Sequence, residues 1–414
     1  MTEPAAEDGI PARLVPFISR VRLKNYKSIA SCDVRLGPLT ILVGPNGSGK
    51  SNFLDALAFL GRAVATTPAE AIESRGGLAE VLRRVPGQAD SFSIGIEATV
   101  SWGSLPDQLV HTTYEFEIGP PARRGLRTFE VIHEECALRW NGQVWRFEAH
   151  RGKVDIQMPD QRPGAVTLEA DRLYILVASV QSTFAPFFAG LRGMQFFNFA
   201  PEIIRRPQQP TTGATLGMAG EHLGDVLGAL AADPRGYKQR IDAYLRSIVP
   251  GIASIDRYYA GQYVTVALRA ITGDGGEEVE FGPESMSEGT VRAAAVLAAL
   301  FQPWVIDHRV RLIGIEEPEI ALHPAAAGVL FDALTEASEH VQIVATSQSA
   351  DLLDREDLDV SVIRPVAMRD GLTFIGEVDD ASREIAERKL YTLGELMRGN
   401  QLSPLPSDGA DGVA

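Results

Sequence analysis

Residues Gly44-Pro45-Asn46-Gly47-Ser48-Gly49-Lys50-Ser51 constrain the fold of this 414-residue chain more than any other stretch. They fit G-x-x-x-x-G-K-[ST], and their flanks fit as well. Upstream, Leu39-Thr40-Ile41-Leu42-Val43 is a short apolar run with β-branched residues, which predicts a buried strand. Downstream, Asn52 to Leu60 places Phe53, Leu54, Leu57 and Leu60 on one helical face. A strand, a glycine-rich turn and a helix N-terminus in that order form an anion site. Backbone N–H groups wrap phosphates there, and the helix end adds partial positive charge. In such a loop Lys50 reaches the β- and γ-phosphates, the Ser51 hydroxyl ligates Mg²⁺, and Asn52 follows in the first helical turn. The expected fold class is α/β, a P-loop NTPase.

Bulk properties narrow the remainder. An apolar share of 45% with 22% charged residues is ordinary for a globular protein with a sizeable core. No uninterrupted apolar run approaches the ~18 residues of a membrane helix, so no membrane partner is expected. Met1 to Pro16 is acidic and broken by prolines, unlike a signal peptide. Cys32 and Cys136 are isolated and lack metal-ligand spacing, which fits a reducing, cytoplasmic location. The net charge of −15 lies in the second half, where residues 213–414 sum to −16. Residues 1–60 sum to +2 and 61–212 to −1. That balance argues against non-specific coating of nucleic acid while leaving room for local basic patches.

Alternation predicts strands at Ile18 to Leu23 and Ser31 to Leu36, then helical, polar sequence over 61–90 with a break at Arg75-Gly76-Gly77. Strands follow at Phe92 to Ile96, Thr113 to Ile118 and Val144 to Phe147, with loops at 119–127 and 150–165. Residues 219–249 return to helical periodicity, 258–271 read as a strand region, and 273–283 as a polar hairpin or loop. Ser287 to Leu300, Arg311 to Glu316, Ala325 to Ser338 and Val341 to Thr346 then alternate helix and strand, the pattern of a parallel α/β sheet. One short helix near Ala381 to Leu390 precedes a Pro-, Gly- and Asp-rich end. The expected division is 1–65, 66–212, 213–280, 281–366 and 367–414.

The run Arg311 to Glu319 is an apolar strand ending in acids. A nucleotide site needs one carboxylate for the Mg²⁺ shell and one to align the attacking water. Glu316 is assigned to the metal and Glu317 to general-base work. Ser285-Met286-Ser287-Glu288-Gly289-Thr290 opens the next helix upstream, as an ordinary N-cap or a second anion site.

Taken together, these stretches resemble a compact ATPase of the SMC/RecF/OLD branch of ABC-type ATPases. The resemblance rests on Leu23 to Ser28, the P-loop with Asn52, Met286 to Thr290, Gly314 to Pro324 and Ala345 to Asp354. It implies an ABC-type head with a strand-rich insertion between P-loop and signature, since 243 residues separate Gly44 from Ser287. It also implies a homodimer in which Ser287 and Gly289 of one protomer complete the ATP site of the other. Two positions depart from the family pattern. Glu316 replaces the usual Asp, and Gln348 stands where the switch histidine is expected, able to hydrogen-bond but not to carry charge. His323 falls where the family's D-loop crosses the dimer interface. Gln88, Gln143 and Gln181 are undecided candidates for the Q-loop. Arg83-Arg84, Arg123-Arg124 with Arg127, and Arg205-Arg206 are candidate phosphate contacts, each read first as solvated surface, with Arg205-Arg206 the exception to watch because it lies in a family-like segment.

The resemblance implies ATP and Mg²⁺ as cofactors and hydrolysis through Glu317, Gln348 and Lys50. It leaves three uses open: DNA repair or recombination, the ATPase subunit of an antiphage system with a separately encoded nuclease or toxin, and a non-hydrolysing ATP sensor. With about fifty residues after Arg364, no intrinsic nuclease is expected.

Overall fold

The computed structural model describes residues 16–84, 90–101, 109–122, 128–159, 164–213, 215–272 and 277–405. Strands β1 (Ile18–Tyr26) and β2 (Ile29–Arg35) pair antiparallel, with Arg22 opposite Asp33. β3 (Leu39–Val43) then leaves that sheet for a second one, so the first strands of the chain feed both. β4 (Phe92–Ser101), β5 (Leu109–Gly119), β6 (Glu130–Trp140), β7 (Gln143–His150), β8 (Lys153–Gln157) and β9 (Gly164–Thr167) extend the first sheet. It has eight antiparallel strands in the order β2-β1-β4-β5-β6-β7-β8-β9.

β10 (Met194–Phe197) opens the second sheet, and β11 (Ile252–Ala260), β12 (Tyr263–Thr272) and β13 (Glu277–Phe281) form a small antiparallel one. β14 (Leu312–Glu316), β15 (Gln342–Ser347), β16 (Ile363–Arg369) and β17 (Leu372–Ile375) complete the second sheet, ordered β10-β14-β15-β3-β16-β17. Its pairs are parallel except the last hairpin. This is the α/β head expected from the sequence.

β3 is buried at every residue because both sheet faces are covered. Leu42, Leu312 and Val344 face one core, and Ile41, Val43, Ile313 and Ile315 face the other. The first core lies between the two large sheets and encloses the helix Lys50–Ala65. Phe59 of that helix meets Phe92 edge-on at 5.3 Å, and Phe92 meets Tyr26 at 5.6 Å. The second core gathers the helices Leu223–Ala232, Tyr237–Ile248, Glu288–Phe301 and Pro324–Ala337. With its extension to Ile306, the helix from Glu288 is long and apolar enough to cross a membrane, but 78% of its most apolar window is buried in this core. Its apolar composition is that of a central core helix.

Gln342 fastens the two sheets together. It is wholly buried on β15, accepts from Ile18 N–H at 2.8 Å, and donates to the carbonyls of Ile18 at 2.6 Å and Gly37 at 2.9 Å.

Several elements differ from the sequence reading. The segment 150–165, expected as a loop, contains β8 and the start of β9, which extend the meander by two short strands. β6 was hidden by the acids in its interior. Glu134 sits there fully buried, because Tyr114 Oη–H and the N–H groups of Tyr174 and Ile175 donate to its carboxylate. The strand region at 258–271 is a hairpin of β11 and β12, and 273–283 contributes β13 beside it. β10, between Gly193 and Asn198, is only four residues long, too short for alternation to show. The hairpin β16–β17 runs across the 366/367 division.

Candidate nucleotide site

The P-loop leaves β3 between β15 and β16 and turns into the helix at Lys50. Gly49 has φ 102°, and a Cβ there would lie 2.1 Å from Thr373 Oγ1, so only glycine fits on both counts. Thr373, 2% exposed on β17, ends a relay of hydrogen bonds. Asn52 Nδ2 donates to Ser28 Oγ at 2.6 Å, Ser28 Oγ lies 2.6 Å from Thr373 Oγ1, and Thr373 Oγ1 donates to the Ser48 carbonyl at 2.9 Å. Asn52 therefore shapes the loop through Ser28 and Thr373. Neither Ser28 nor Thr373 was singled out as a functional residue from the sequence. Ser28 stood in the Leu23–Ser28 stretch, whereas Thr373 had no local signal.

The loop residues fit a triphosphate. Lys50 is buried, and its Nζ donates to the carbonyls of Gly44 at 2.8 Å and Pro45 at 2.9 Å, across the concavity of the loop. Burial pushes the Lys50 ammonium below its ordinary pKa, while Glu317 and Glu319 pull it back up. Among the described residues the buried Ser48 Oγ has no hydrogen-bond partner. Ser51 Oγ donates to Glu316 Oε2 at 3.3 Å, which brings together the two residues assigned to Mg²⁺. Burial holds the Glu316 carboxyl above its usual range, and Asp55 and Glu317 add to that, against the Ser51 hydrogen bond. A divalent ion here would relieve that concentration of acid and offset phosphate charge.

Glu317 follows directly at the end of β14 in a left-handed conformation, φ 43°. Its N–H donates to Thr346 O at 3.0 Å and Thr346 Oγ1 at 3.2 Å, which turns the side chain away from the strand. Gln348 Nε2 donates to Glu317 Oε2 at 2.8 Å. The two residues expected to handle the attacking water are thus in direct contact. Glu319, not assigned from the sequence, supports them from below. Its Oε1 accepts from Ser347 Oγ at 2.6 Å and from Gln348 N–H at 3.3 Å. Its Oε2 is buried and has no hydrogen-bond partner among the described residues, and burial raises its pKa.

Ser287 and Gly289 stand apart from this cluster. Ser287 caps the helix Glu288–Phe301, accepting from Thr290 N–H at 3.2 Å. Among the described residues no hydrogen bond joins Ser287 to Gly44–Ser51. A Cβ on Gly289 would lie 2.3 Å from the Ala321 carbonyl, so the signature helix packs directly on the turn after Glu319. Arg205 Nη2 donates to the Met286 carbonyl at 2.8 Å, which makes Arg205 a brace for the signature turn rather than solvated surface. Arg206 is exposed. His323 Nδ1 accepts from Ala325 N–H at 3.2 Å and caps the helix Pro324–Ala337. Arg83 Nε donates to Asn25 Oδ1 at 3.2 Å, and Arg84 pairs with Glu80. Gln143 and Gln181 are exposed. Gln88, Arg123, Arg124 and Arg127 lie outside the described residues.

With this geometry in place, likeness to known proteins can be weighed. Residues 17–82 match a family model described as "AAA ATPase domain". Residues 224–354 match one described as "AAA domain, putative AbiEii toxin, Type IV TA system". The DNA replication and repair protein RecF of Magnetococcus marinus is 39% identical over 62 residues, which are 14% of this chain and 16% of that protein. The OLD nuclease of Thermus scotoductus is 45% identical over 41 residues, 10% of this chain and 8% of that protein. The chain thus spans under a fifth of the length of either relative. An SMC head crystallised with the C-winged helix domain of ScpA shares the fold at 14% identity. Its TM-score is 0.54, covering 89% of this chain and 100% of the other. The matched models, the partial relatives and the shared fold together support an SMC/RecF/OLD-like ATPase of the ABC type.

Proposed function

We propose that this protein binds and hydrolyses Mg·ATP as an ATP-clamped homodimer. The observation that carries the reading is the contact of Gln348 with Glu317, one residue from the Ser51–Glu316 pair. Gly44 to Ser51 hold the phosphates, with Lys50 on the γ-phosphate and Ser51 and Glu316 on the metal. Glu317 takes the proton of the attacking water, and Gln348 fixes which way its carboxylate faces. Ser287 and Gly289 lie outside this cluster, which suits donors aimed at a partner's nucleotide. ATP then stabilises the closed dimer by binding across it, and hydrolysis lets the protomers part.

The test is Glu317→Gln. It should lose at least about 100-fold in turnover, as expected for removal of a general base. It should keep ATP affinity and accumulate an ATP-bound dimer in sizing experiments. Unchanged turnover would remove Glu317 from the chemistry.

For the clamp's use, the RecF likeness supports work on DNA in repair or recombination, in the cytoplasm. The match to the AbiEii-type model supports a second use, control of a separately encoded nuclease or toxin in antiphage defence. DNA stimulation of turnover separates them, with Arg206 as the residue to reverse, because Arg205 is committed to the signature turn. Slow hydrolysis by both wild type and Gln348→His, with ATP-driven dimerisation intact, would instead favour an ATP sensor.

A further inference from the structure

A second set of ligating side chains lies on the outer face of the eight-stranded sheet, on β6 and β7. The register places His133 opposite His150 and Glu135 opposite Glu148, a two-by-two block on one face. The imidazole centroids are 4.6 Å apart with 36° between planes. One ligand atom each from His133, Glu148 and His150 lies within 4.8 Å of the others.

Arg146 organises the carboxylates beside them. Its Nη2 lies 2.7 Å from Glu148 Oε2 and its Nε 3.1 Å from Glu135 Oε1. Each glutamate keeps its other oxygen toward a histidine: Glu148 Oε1 is 3.0 Å from His150 Nε2, and Glu135 Oε2 is 4.0 Å from His133 Nε2. His133 Nδ1 is buried and has no hydrogen-bond partner among the described residues. Two imidazoles and a carboxylate suit a borderline first-row ion, whereas Mg²⁺ and Ca²⁺ select all-oxygen sets.

We propose that His133, Glu148 and His150 form a divalent transition-metal site, with zinc the ion whose donor preference and coordination number they fit. The ion ties β6 to β7, Arg146 and Glu135 orient its ligands, and a fourth position stays open to water or to a side chain of another protein.

The experiment titrates zinc against a chromogenic chelator with the full chain, comparing wild type, His150→Ala and Glu148→Gln. The His150 side chain is 62% exposed, so its truncation leaves the core intact. That is checked by equal thermal unfolding in EDTA and equal ADP binding. Wild type should bind one more zinc equivalent than either variant, or bind it at least about 10-fold more tightly. Cobalt should give the intense visible bands of a four-coordinate ion in wild type only. Equal zinc stoichiometry and affinity in all three proteins would overturn the site. So would absence of wild-type binding at about 100 µM zinc, weak for a built site of this type. Either result would leave only an ion-pair lattice around Arg146.

Discussion

Glu134 shows how one side chain sets a pH dependence. Burial raises its carboxyl pKa from 4.5 to about 7, despite the N–H groups of Tyr174 and Ile175 and the Tyr114 hydroxyl that favour the ionised form. Between those values the unfolded chain has lost the proton and the folded chain retains it. Stability therefore falls as pH rises through that window, by up to about 1.4 kcal/mol per pH unit, and levels off above it. Depressed carboxylates act with the opposite sign at lower pH; Asp55, despite its burial, is held down by Arg75 and Lys27. Denaturant melts at pH 5 and pH 7 should show the decline, and Glu134→Gln should flatten it. A slope unchanged in the variant would assign the effect elsewhere. At this same scale the candidate site was largely legible. Gly44 to Ser51, Glu316 and Glu317 are marked by local sequence patterns and Gln348 by its neighbours, and the structure brings them together. Arg205 is not so marked, because an arginine pair reads the same whether it faces water or the Met286 carbonyl.

At the scale of elements, the hairpin β16–β17 is part of the P-loop in all but sequence. Thr373→Val keeps the shape and removes the hydroxyl that holds the Ser48 carbonyl. One net hydrogen bond is worth about 1 kcal/mol, so nucleotide affinity should fall about fivefold with little change in melting temperature. Isothermal titration with a non-hydrolysed ATP analogue checks this, and unchanged affinity would free the hairpin of that role. Gln342→Ala tests the fastening of the two sheets. It strands buried backbone groups of Ile18 and Gly37, and should cost about 3 kcal/mol in denaturant unfolding. A loss below about 1 kcal/mol would mean that water or a backbone shift replaces the contact. Neither residue could be read in advance, since their partners lie 325 and 324 positions away. The strands that were missed have two causes. β6 hides a compensated acid, and β8, β9 and β10 are too short for alternation to show.

For the whole molecule, the proposed sharing of each ATP site between protomers predicts complementation between defective subunits. Lys50→Ala removes a phosphate contact, and Ser287→Arg blocks the signature turn, so each homodimer should be inactive. In a mixture, the Ser287→Arg protomer offers its intact P-loop to the intact signature of the Lys50→Ala protomer. Random pairing at equal amounts makes half the dimers mixed, each with one working site of two, so about a quarter of wild-type turnover should return. No recovery in a mixture shown to exchange subunits would count against a site shared between protomers. The order of the parallel sheet carries a different consequence, for synthesis. β3 is flanked by β15 and β16, both encoded beyond residue 341, and Gly49 is roofed by Thr373. During synthesis the glycine-rich loop is made well before the strands that wall it. Chains that stop before β17 carry the full phosphate-binding sequence yet lack the walls that shape it, so nucleotide binding should require synthesis past Thr373.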